Sequence, residues 1–269
     1  MIIVRDMDEI LIERDGGVVT LTINRPERKN AITDDMWDAL GDVFTEVGRR
    51  SEDRVLVITG AGGAFCSGAD LGARAGSADG AAALSEGGLA RMRRIGSAAL
   101  ALHRLAKPTV AKVGGVAAGA GCNLALGCDL VVASQDARFS EIFSRRGLSL
   151  DFGGSWLLPR LIGLHKAKEL AYFADIVSAE EAMGLGIVNR VVPAEQLDAF
   201  VEDWARRLAA GPPMALSLTK TMLNSSLALS MDECLEAEAR SQVVNFGTED
   251  FREALTAFVA KREPEFKGR

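Results

Sequence analysis

Strand and helix patterns alternate along the first half of the chain, and this alternation is the strongest constraint on its fold. A strand, a loop and a helix that recur in this order favour a parallel sheet with crossover connections. The first two strands form a hairpin, because the glycines of Asp15-Gly16-Gly17 tolerate positive φ. Thr33 is placed to cap the first helix. The predicted strands are 10–13, 18–23, 55–59, 109–113 and 130–133, and the predicted helices are 33–50, 89–105 and 120–127.

The last third of the chain is predicted to be helical. Two capping boxes mark helix starts, Ser178 with Glu181 and Ser230 with Glu233. Gly184 fits the C-terminus of the first of these helices. Further helices are predicted at 197–210, 213–224, 231–246 and 249–259. We therefore expect two regions, a core over residues 1–200 and a helical C-terminal region over residues 201–269.

Charge and composition exclude several classes of function. The chain has 31 Lys and Arg against 37 Asp and Glu, so it has no positive field to bind nucleic acid or an anionic membrane. No apolar run reaches the roughly 18 residues that span a bilayer. The four cysteines form no CxxC pair, and the two histidines lie far apart in the chain. We expect a reduced, cytoplasmic protein with no metal site and no nucleic-acid or membrane partner.

Two turns rich in small residues follow predicted strands, at 60–71 and 114–126. Small residues let a ligand approach the backbone, and the first N–H groups of the helix after the second turn have no intrahelical acceptor. If one N–H from each turn converges on one point, the pair forms an oxyanion hole, worth roughly 2.7–4 kcal/mol per donor. The alternative is that the glycines only permit tight packing of helix against sheet. The phosphate-binding pattern GxxxxGK[ST] is absent.

The segment 72–88 consists almost entirely of Gly, Ala, Ser and Asp. Such a segment has few apolar side chains to anchor it, so it is expected to be mobile. Its place after the first small-residue turn predicts a flap over a binding site.

Five stretches in order along nearly the whole chain carry a family pattern: 24–31 (NRPERKNA), 63–71 (GAFCSGADL), 107–129, 147–155 (GLSLDFGGS) and 179–188 (AEEAMGLGIV). Together they resemble the crotonase family, the enoyl-CoA hydratase/isomerase superfamily. The resemblance implies an α/β fold, a spiral of ββα units with a helical C-terminal trimerisation region, assembled as a homotrimer or a dimer of trimers. It also implies an acyl-CoA thioester substrate, with coenzyme A bound as part of that substrate and no separate cofactor.

The resemblance also assigns roles to individual residues. The N–H groups of Ala69 and Ala120 would be the two oxyanion donors. Contacts to coenzyme A would come from Arg28, Lys29, Ala31, Ala69, Asp70, Leu71, Gly119 and Lys261, the last often reaching across a subunit boundary. Arg28 and Lys29 would meet the phosphates. The alternative for these two residues is a solvated basic loop.

The two glutamates that family hydratases use are missing. The matching positions hold Asn123 and Phe143, neither of which exchanges a proton at neutral pH. Asp151 matches the catalytic aspartate of some family isomerases, and apolar neighbours are expected to raise its pKa. The alternative is that Asp151 caps a helix beginning near Gly153. Glu141 is expected to point to the opposite side from Phe143 and to lie on the surface.

Within the family, the segments 115–121, 143–160 and 258–269 are most similar to ring-opening isomerases of the 1,2-epoxyphenylacetyl-CoA type, which implies phenylacetate catabolism. We predict an acyl-CoA isomerase that moves a double bond, or opens an epoxide, through an enolate with Asp151 as acid and base. Two alternatives stay open. One is an enoyl-CoA hydratase that uses Asp151 and a water held by Asn123. The other is a non-catalytic binder of CoA esters.

Overall fold

The computed structural model describes residues 9–71 and 87–269. The predicted flap at 72–88 therefore lies outside the described residues except for Gly87 and Gly88. None of the helices in the described ranges combines the length and the hydrophobicity needed to cross a bilayer.

The larger of two sheets has six strands in the order β1-β2-β3-β4-β6-β9. They are β1 (Ile10–Asp15), β2 (Val18–Ile23), β3 (Val55–Gly60), β4 (Thr109–Val113), β6 (Leu130–Ser134) and β9 (Arg190–Val192). β1 and β2 form the predicted antiparallel hairpin, and Gly16 and Gly17 have φ values of 55° and 86° in its turn. Every other pairing in this sheet is parallel, which confirms the α/β prediction.

Helices cover both faces of the larger sheet. On one face α1 (Asp34–Arg49) packs against α2 (Gly88–Arg104), and the hydroxyl of Thr33 accepts a hydrogen bond from the Met36 N–H, as predicted for a capping threonine. The other face is covered by α6 (Leu197–Ala210). β3 is buried on both sides because its alternate residues enter the two different clusters of core side chains. Leu56 and Ile58 face α1 and α2, whereas Val55 and Val57 face α6.

A smaller sheet stands beside the first and consists of β5 (Val116–Ala118), β7 (Arg138–Ser140) and β8 (Val177–Ser178). The helices around it are α3 (Ala120–Leu126), α4 (Gly154–Phe173) and α5 (Ala179–Leu185). Ser178 and Glu181 form the predicted capping box of α5. The prediction that Gly184 ends this helix is wrong. Gly186, with a φ of 86°, is the C-cap, because the chain must turn in the left-handed region there.

Three further helices complete the chain: α7 (Pro213–Ser226), α8 (Met231–Phe246) and α9 (Glu249–Ala260). The buried carboxylate of Asp250 accepts hydrogen bonds from the N–H groups of Lys267 and Gly268 at 2.7 and 2.9 Å, which fixes the C-terminal tail against α9. The division predicted at residue 200 falls inside α6, whose Val201 and Ala205 pack on the sheet. The two-region organisation stays a prediction.

Candidate active site

The two small-residue turns meet beside the smaller sheet. Ile32 pairs with the first turn as an isolated parallel bridge: its N–H donates to Gly68 O, and its oxygen accepts from Asp70 N–H, both at 2.9 Å. These bonds use the groups on either side of Ala69, so the Ala69 N–H points away from Ile32. At the second turn Ala120 is the first residue of α3, so its N–H has no acceptor within the helix.

The backbones of the two turns are in direct contact. A β-carbon on Gly68, whose φ is +94°, would lie 2.8 Å from Ala118 O and 3.5 Å from Ala120 N. One on Gly121 would lie 2.3 Å from Cys66 O. Only glycine allows this approach. The structure therefore brings the turn of Ala69 to the start of α3, as the oxyanion-hole prediction requires, while the catalytic role of the two amides stays a prediction.

The loop predicted to bind coenzyme A lies against the first turn. Ser67 N–H donates to Lys29 O at 3.0 Å, and Arg28 and Lys29 are exposed. Arg25, which sequence reasoning missed, donates to Ala31 O at 2.6 Å and to an Asp70 carboxylate oxygen at 3.0 Å. It thus ties the loop to the turn. The Arg25 N–H also donates to Asn30 Oδ1 at 2.9 Å, and no local sequence pattern signals the contact with Asp70, 45 residues away.

The remaining residues predicted to contact coenzyme A lie in three places. Leu71 is exposed at the end of the first turn, and Gly119 is buried directly before α3. Lys261 is exposed at the C-terminal end of α9, whose main packing partner is α8. The coenzyme A contacts of these residues stay predictions.

Asp151 lies in the segment that leads into α4. The alternative that it caps this helix is wrong, because the N-cap residue is Gly153 and no side chain caps the N-terminus. Asp151 is half-buried, and its Oδ1 is buried without a hydrogen-bond partner among the described residues. Burial raises the pKa of Asp151 to about 6, and the nearby charge of Arg91 opposes that rise. A carboxyl with such a pKa can both accept and return a proton near neutral pH.

A cavity of about 1050 Å³ reaches the residues that follow Asp151, whereas Asp151, Ala69 and Ala120 are not among the residues that line it. Phe152 and Gly153 form part of its wall, and α2, the start of α4 and α7 enclose it. Phe152 has a φ of 46° and packs against Trp37 with ring centroids 5.0 Å apart. Trp156 also lines the cavity, whereas Phe65 in the first small-residue turn is fully buried in the core.

Asn123 and Phe143 occupy the positions of the missing glutamates, but they differ in surroundings. Asn123 is fully buried, and its Nδ2 donates to Asp151 O at 2.9 Å and to Glu141 Oε2 at 3.3 Å. This geometry favours a role for Asn123 in holding the Asp151 segment over a role in holding water. Phe143 lies beside Gly119, with a ring carbon 3.7 Å from where a Gly119 β-carbon would be.

Glu141 is not a surface residue, so that prediction is wrong. The residue is 2% exposed. The segment is also not extended as expected, because a 3₁₀-helix (Ile142–Arg146) begins directly after Glu141, and the Glu141 side chain lies in the interior between α3 and α4. Burial raises the pKa of Glu141 to about 7, and the charge of Asp151 adds to the rise, while hydrogen bonds from Cys122 and Asn123 oppose it.

The chain matches the model of the Enoyl-CoA hydratase/isomerase family over residues 13–269. It is 40% identical over 263 residues to the 1,2-epoxyphenylacetyl-CoA isomerase of Escherichia coli K12, covering 98% of this chain and 100% of that protein. It is 33% identical over 270 residues to the short-chain-enoyl-CoA hydratase of Clostridium acetobutylicum, covering 98% and 100%.

A crystal structure of the enoyl-CoA hydratase from Bacillus anthracis superposes on the fold with a TM-score of 0.91 and 31% identity. The superposition covers 97% of this chain and 100% of the other. It confirms the crotonase-like fold expected from the five sequence stretches.

Proposed function

The chain belongs to the enoyl-CoA hydratase/isomerase family, and we propose that it is an acyl-CoA isomerase in which Asp151 carries the proton. The observation that supports this most is the half-buried Asp151 carboxyl, which has a pKa of about 6 and an Oδ1 without a hydrogen-bond partner among the described residues, while the two hydratase glutamate positions hold Asn123 and Phe143. A hydratase of the usual kind needs two carboxyl groups at the substrate, whereas an isomerase needs one.

In the proposed reaction the thioester carbonyl of a 3-enoyl-CoA lies between the N–H groups of Ala69 and Ala120. The Asp151 carboxylate takes a proton from the α-carbon, and the electron pair moves onto the thioester oxygen to give a dienolate. The two amides stabilise this negative charge, which lowers the barrier. The protonated Asp151 then returns the proton to the γ-carbon, the electrons return from the oxygen, and the double bond comes to lie between the α- and β-carbons.

The same arrangement would serve the opening of an epoxide in an arene-derived acyl group. The 40% identity to a 1,2-epoxyphenylacetyl-CoA isomerase supports this substrate. The cavity whose wall includes Phe152 and Trp156 has room for a cyclic or an unbranched acyl group. On this proposal the protein works in the cytoplasm on acyl-CoA esters of fatty-acid or phenylacetate metabolism, as a homotrimer or a dimer of trimers.

Exposed apolar side chains near the C-terminus support assembly through that region. Leu255, Phe258 and Val259 on α9 are 53%, 83% and 82% exposed. Apolar residues of this size that stand together on a surface are typical of a protein contact.

An enoyl-CoA hydratase is the second candidate function. The 33% identity to a short-chain-enoyl-CoA hydratase favours it, and so does the presence of a second buried carboxyl, Glu141, near Asp151. Against it, Glu141 faces the interior and not the turn of Ala120. A binder of CoA esters without catalytic activity is the third.

The variant Asp151→Asn tests the proposal, with Asp136→Asn at an exposed position as its control. The purified proteins are supplied with a 3-enoyl-CoA, with 1,2-epoxyphenylacetyl-CoA and with crotonyl-CoA. We expect Asp151→Asn to lower isomerisation roughly 10²- to 10⁴-fold while CoA-ester binding and Asp136→Asn activity stay at the level of the unmodified protein. Undiminished isomerisation by Asp151→Asn would overturn the mechanism. Efficient hydration of crotonyl-CoA would favour the hydratase. Binding of the CoA esters without turnover would favour the non-catalytic binder.

A further inference from the structure

Glu141 is a buried acid that the proposed reaction does not use. It follows β7, whose Ser140 oxygen accepts the Gly119 N–H at 2.9 Å, so the residue is anchored directly behind the start of α3. Its side chain shares a small interior space with Cys122, Phe139 and Leu158. The carboxyl therefore lies behind the active site and does not face the substrate.

One amide nitrogen connects this buried acid to the catalytic segment. Asn123 Nδ2 has two hydrogens, and it donates to Glu141 Oε2 at 3.3 Å and to Asp151 O at 2.9 Å. The amide is fully buried and packs closely against Gly154, where an added β-carbon would fall 2.4 Å from Nδ2. Three oxygens in this cluster are buried without a hydrogen-bond partner among the described residues: Asn123 Oδ1, Glu141 Oε1 and Asp151 Oδ1.

The segment that this amide holds has an unfavourable backbone. Phe152, which follows Asp151, has a φ of 46°, in a region that residues with a β-carbon rarely adopt. Gly153 has a φ of 82°. Asp151 O accepts from both Asn123 Nδ2 and the Gly154 N–H, each at 2.9 Å. These bonds fix the peptide group after Asp151, and so they fix the direction in which its side chain leaves the backbone.

We propose that Glu141 is a positioning residue: through the amide of Asn123 it holds the peptide carbonyl of Asp151 and thereby the direction of the Asp151 carboxyl. This inference rests on the proposed function, which gives Asp151 its catalytic importance. Glu141 itself touches no reacting atom.

The protonated form of Glu141 suits this role best. A protonated carboxyl can donate a hydrogen bond through its O–H. Asn123 Oδ1 is a buried acceptor on the same amide whose Nδ2 donates to Glu141. Burial and the charge of Asp151 raise the pKa of Glu141 to about 7, so the proton is held at neutral pH in much of the protein. The other titratable groups around it are the thiol of Cys122 and the exposed carboxylate of Asp175, which Arg145 pairs at 2.9 Å. No cation in the described ranges pairs with Glu141 itself.

Ionisation of Glu141 removes the donor and leaves a buried charge beside Asn123. Turnover of the unmodified protein should therefore fall as the pH rises above about 7. The substitution Glu141→Gln supplies an acceptor oxygen and an N–H donor at every pH, so it imitates the protonated acid. The substitution Glu141→Ala removes both.

The test compares Glu141→Ala, Glu141→Gln and the exposed control Glu238→Ala in isomerisation of a 3-enoyl-CoA between about pH 6 and pH 9. We expect Glu141→Ala to lower kcat roughly 10- to 100-fold with little change in KM, because a displaced Asp151 slows chemistry and not binding. Glu141→Gln should restore kcat and abolish the alkaline decline. Glu238→Ala should behave as the unmodified protein.

The inference is overturned if Glu141→Ala keeps full kcat, or if Glu141→Gln is as slow as Glu141→Ala while both retain native circular dichroism. A measurement without substrate tests whether Glu141 and Asp151 lie close enough to interact, as the inference requires. The infrared band of the protonated Glu141 carboxyl can be identified by its loss in Glu141→Gln. In Asp151→Asn this band should titrate at lower pH, because the Asp151 charge that raises the pKa of Glu141 is gone. An unshifted titration would overturn the coupling between the two carboxyl groups. Full turnover by Asp151→Asn would instead defeat the proposed function, which separates the two failures.

Discussion

Gly154 and Asn123 are packed so closely that a β-carbon on Gly154 would lie 2.4 Å from Asn123 Nδ2 and 2.6 Å from Oδ1. Gly154 is also the first residue of α4, and its N–H donates to Asp151 O. The start of α4 therefore contacts both the buried amide of Asn123 and the segment that carries Asp151.

The substitution Gly154→Ala should displace the Asn123 amide, because neither the buried side chain nor the helix backbone can retreat freely. We expect a loss of roughly 1–3 kcal/mol in the free energy of unfolding and a fall in kcat larger than any change in KM. Gly184→Ala is the matched control: Gly184 lies in α5, and no atom of the described residues is within 4 Å of its β-carbon position, so alanine should stabilise by roughly 0.5–1 kcal/mol. Equal urea midpoints for the two variants would contradict the prediction.

The contact of Gly68 with the second turn predicts that a substitution there lowers kcat in addition to straining the backbone. Gly68→Ala places a methyl group 2.8 Å from Ala118 O and 3.5 Å from Ala120 N, so it should push the two proposed oxyanion donors apart. Gly147 also has a positive φ, +66°, but its β-carbon would meet no atom within 4 Å in the part of the chain that the structure describes. Both the Gly68→Ala and the Gly147→Ala variants therefore bear backbone strain, and only Gly68→Ala should also lose roughly 10²-fold or more in kcat. Equal kcat values at 25 °C would count against convergence of the amides.

The charge of Arg91 sets the pH range of the proposed base. Burial raises the pKa of Asp151 to about 6, and Arg91 holds it from rising further. Since the carboxylate form must accept the first proton, kcat/KM should increase with pH up to about 6, and this rise is separate from the decline above about pH 7 that ionisation of Glu141 causes. Arg91→Met removes the positive charge, so the pKa of Asp151 should rise, and the rising limb of the plot of kcat/KM against pH should move to higher pH. Arg94→Met, which breaks only the exposed pair with Asp38, should leave the limb in place. A limb unmoved by Arg91→Met would contradict the assignment to Asp151.

The fold was largely predictable because its signals are local. The hairpin glycines, the capping threonine Thr33 and the capping box at Ser178 each specify their own few residues, and the structure has them where the pattern puts them. The end of α5 was misplaced because Gly184 and Gly186 offer the same signal, and only the backbone shows which one turns left-handed.

The site was less predictable because burial is a property of the whole fold. The prediction for Glu141 assumed an extended segment, whereas a 3₁₀-helix (Ile142–Arg146) begins directly after this residue. The sequence pattern also does not reveal that α4 covers the Glu141 side chain, so a carboxyl expected in solvent is 2% exposed. The contact of Arg25 with Asp70 joins residues 45 positions apart, and no local pattern carries such a pairing.

The stability of the protein should depend on pH through Glu141. Its pKa is raised from 4.5 to about 7 in the folded state, so below about pH 4.5 both the folded and the unfolded chain hold the proton and the group imposes no penalty. As the pH rises from about 4.5 to 7, the unfolded chain loses the proton first, and the unmodified protein loses stability relative to Glu141→Gln. The difference should reach roughly 3 kcal/mol and stay constant above about pH 7. Urea unfolding at about pH 4.5, 6 and 8 measures it, with Glu238→Gln as the exposed control. Parallel stability profiles for Glu141→Gln and the unmodified protein would mean that Glu141 ionises as easily in the folded chain as in water, which its burial behind Asn123 does not permit.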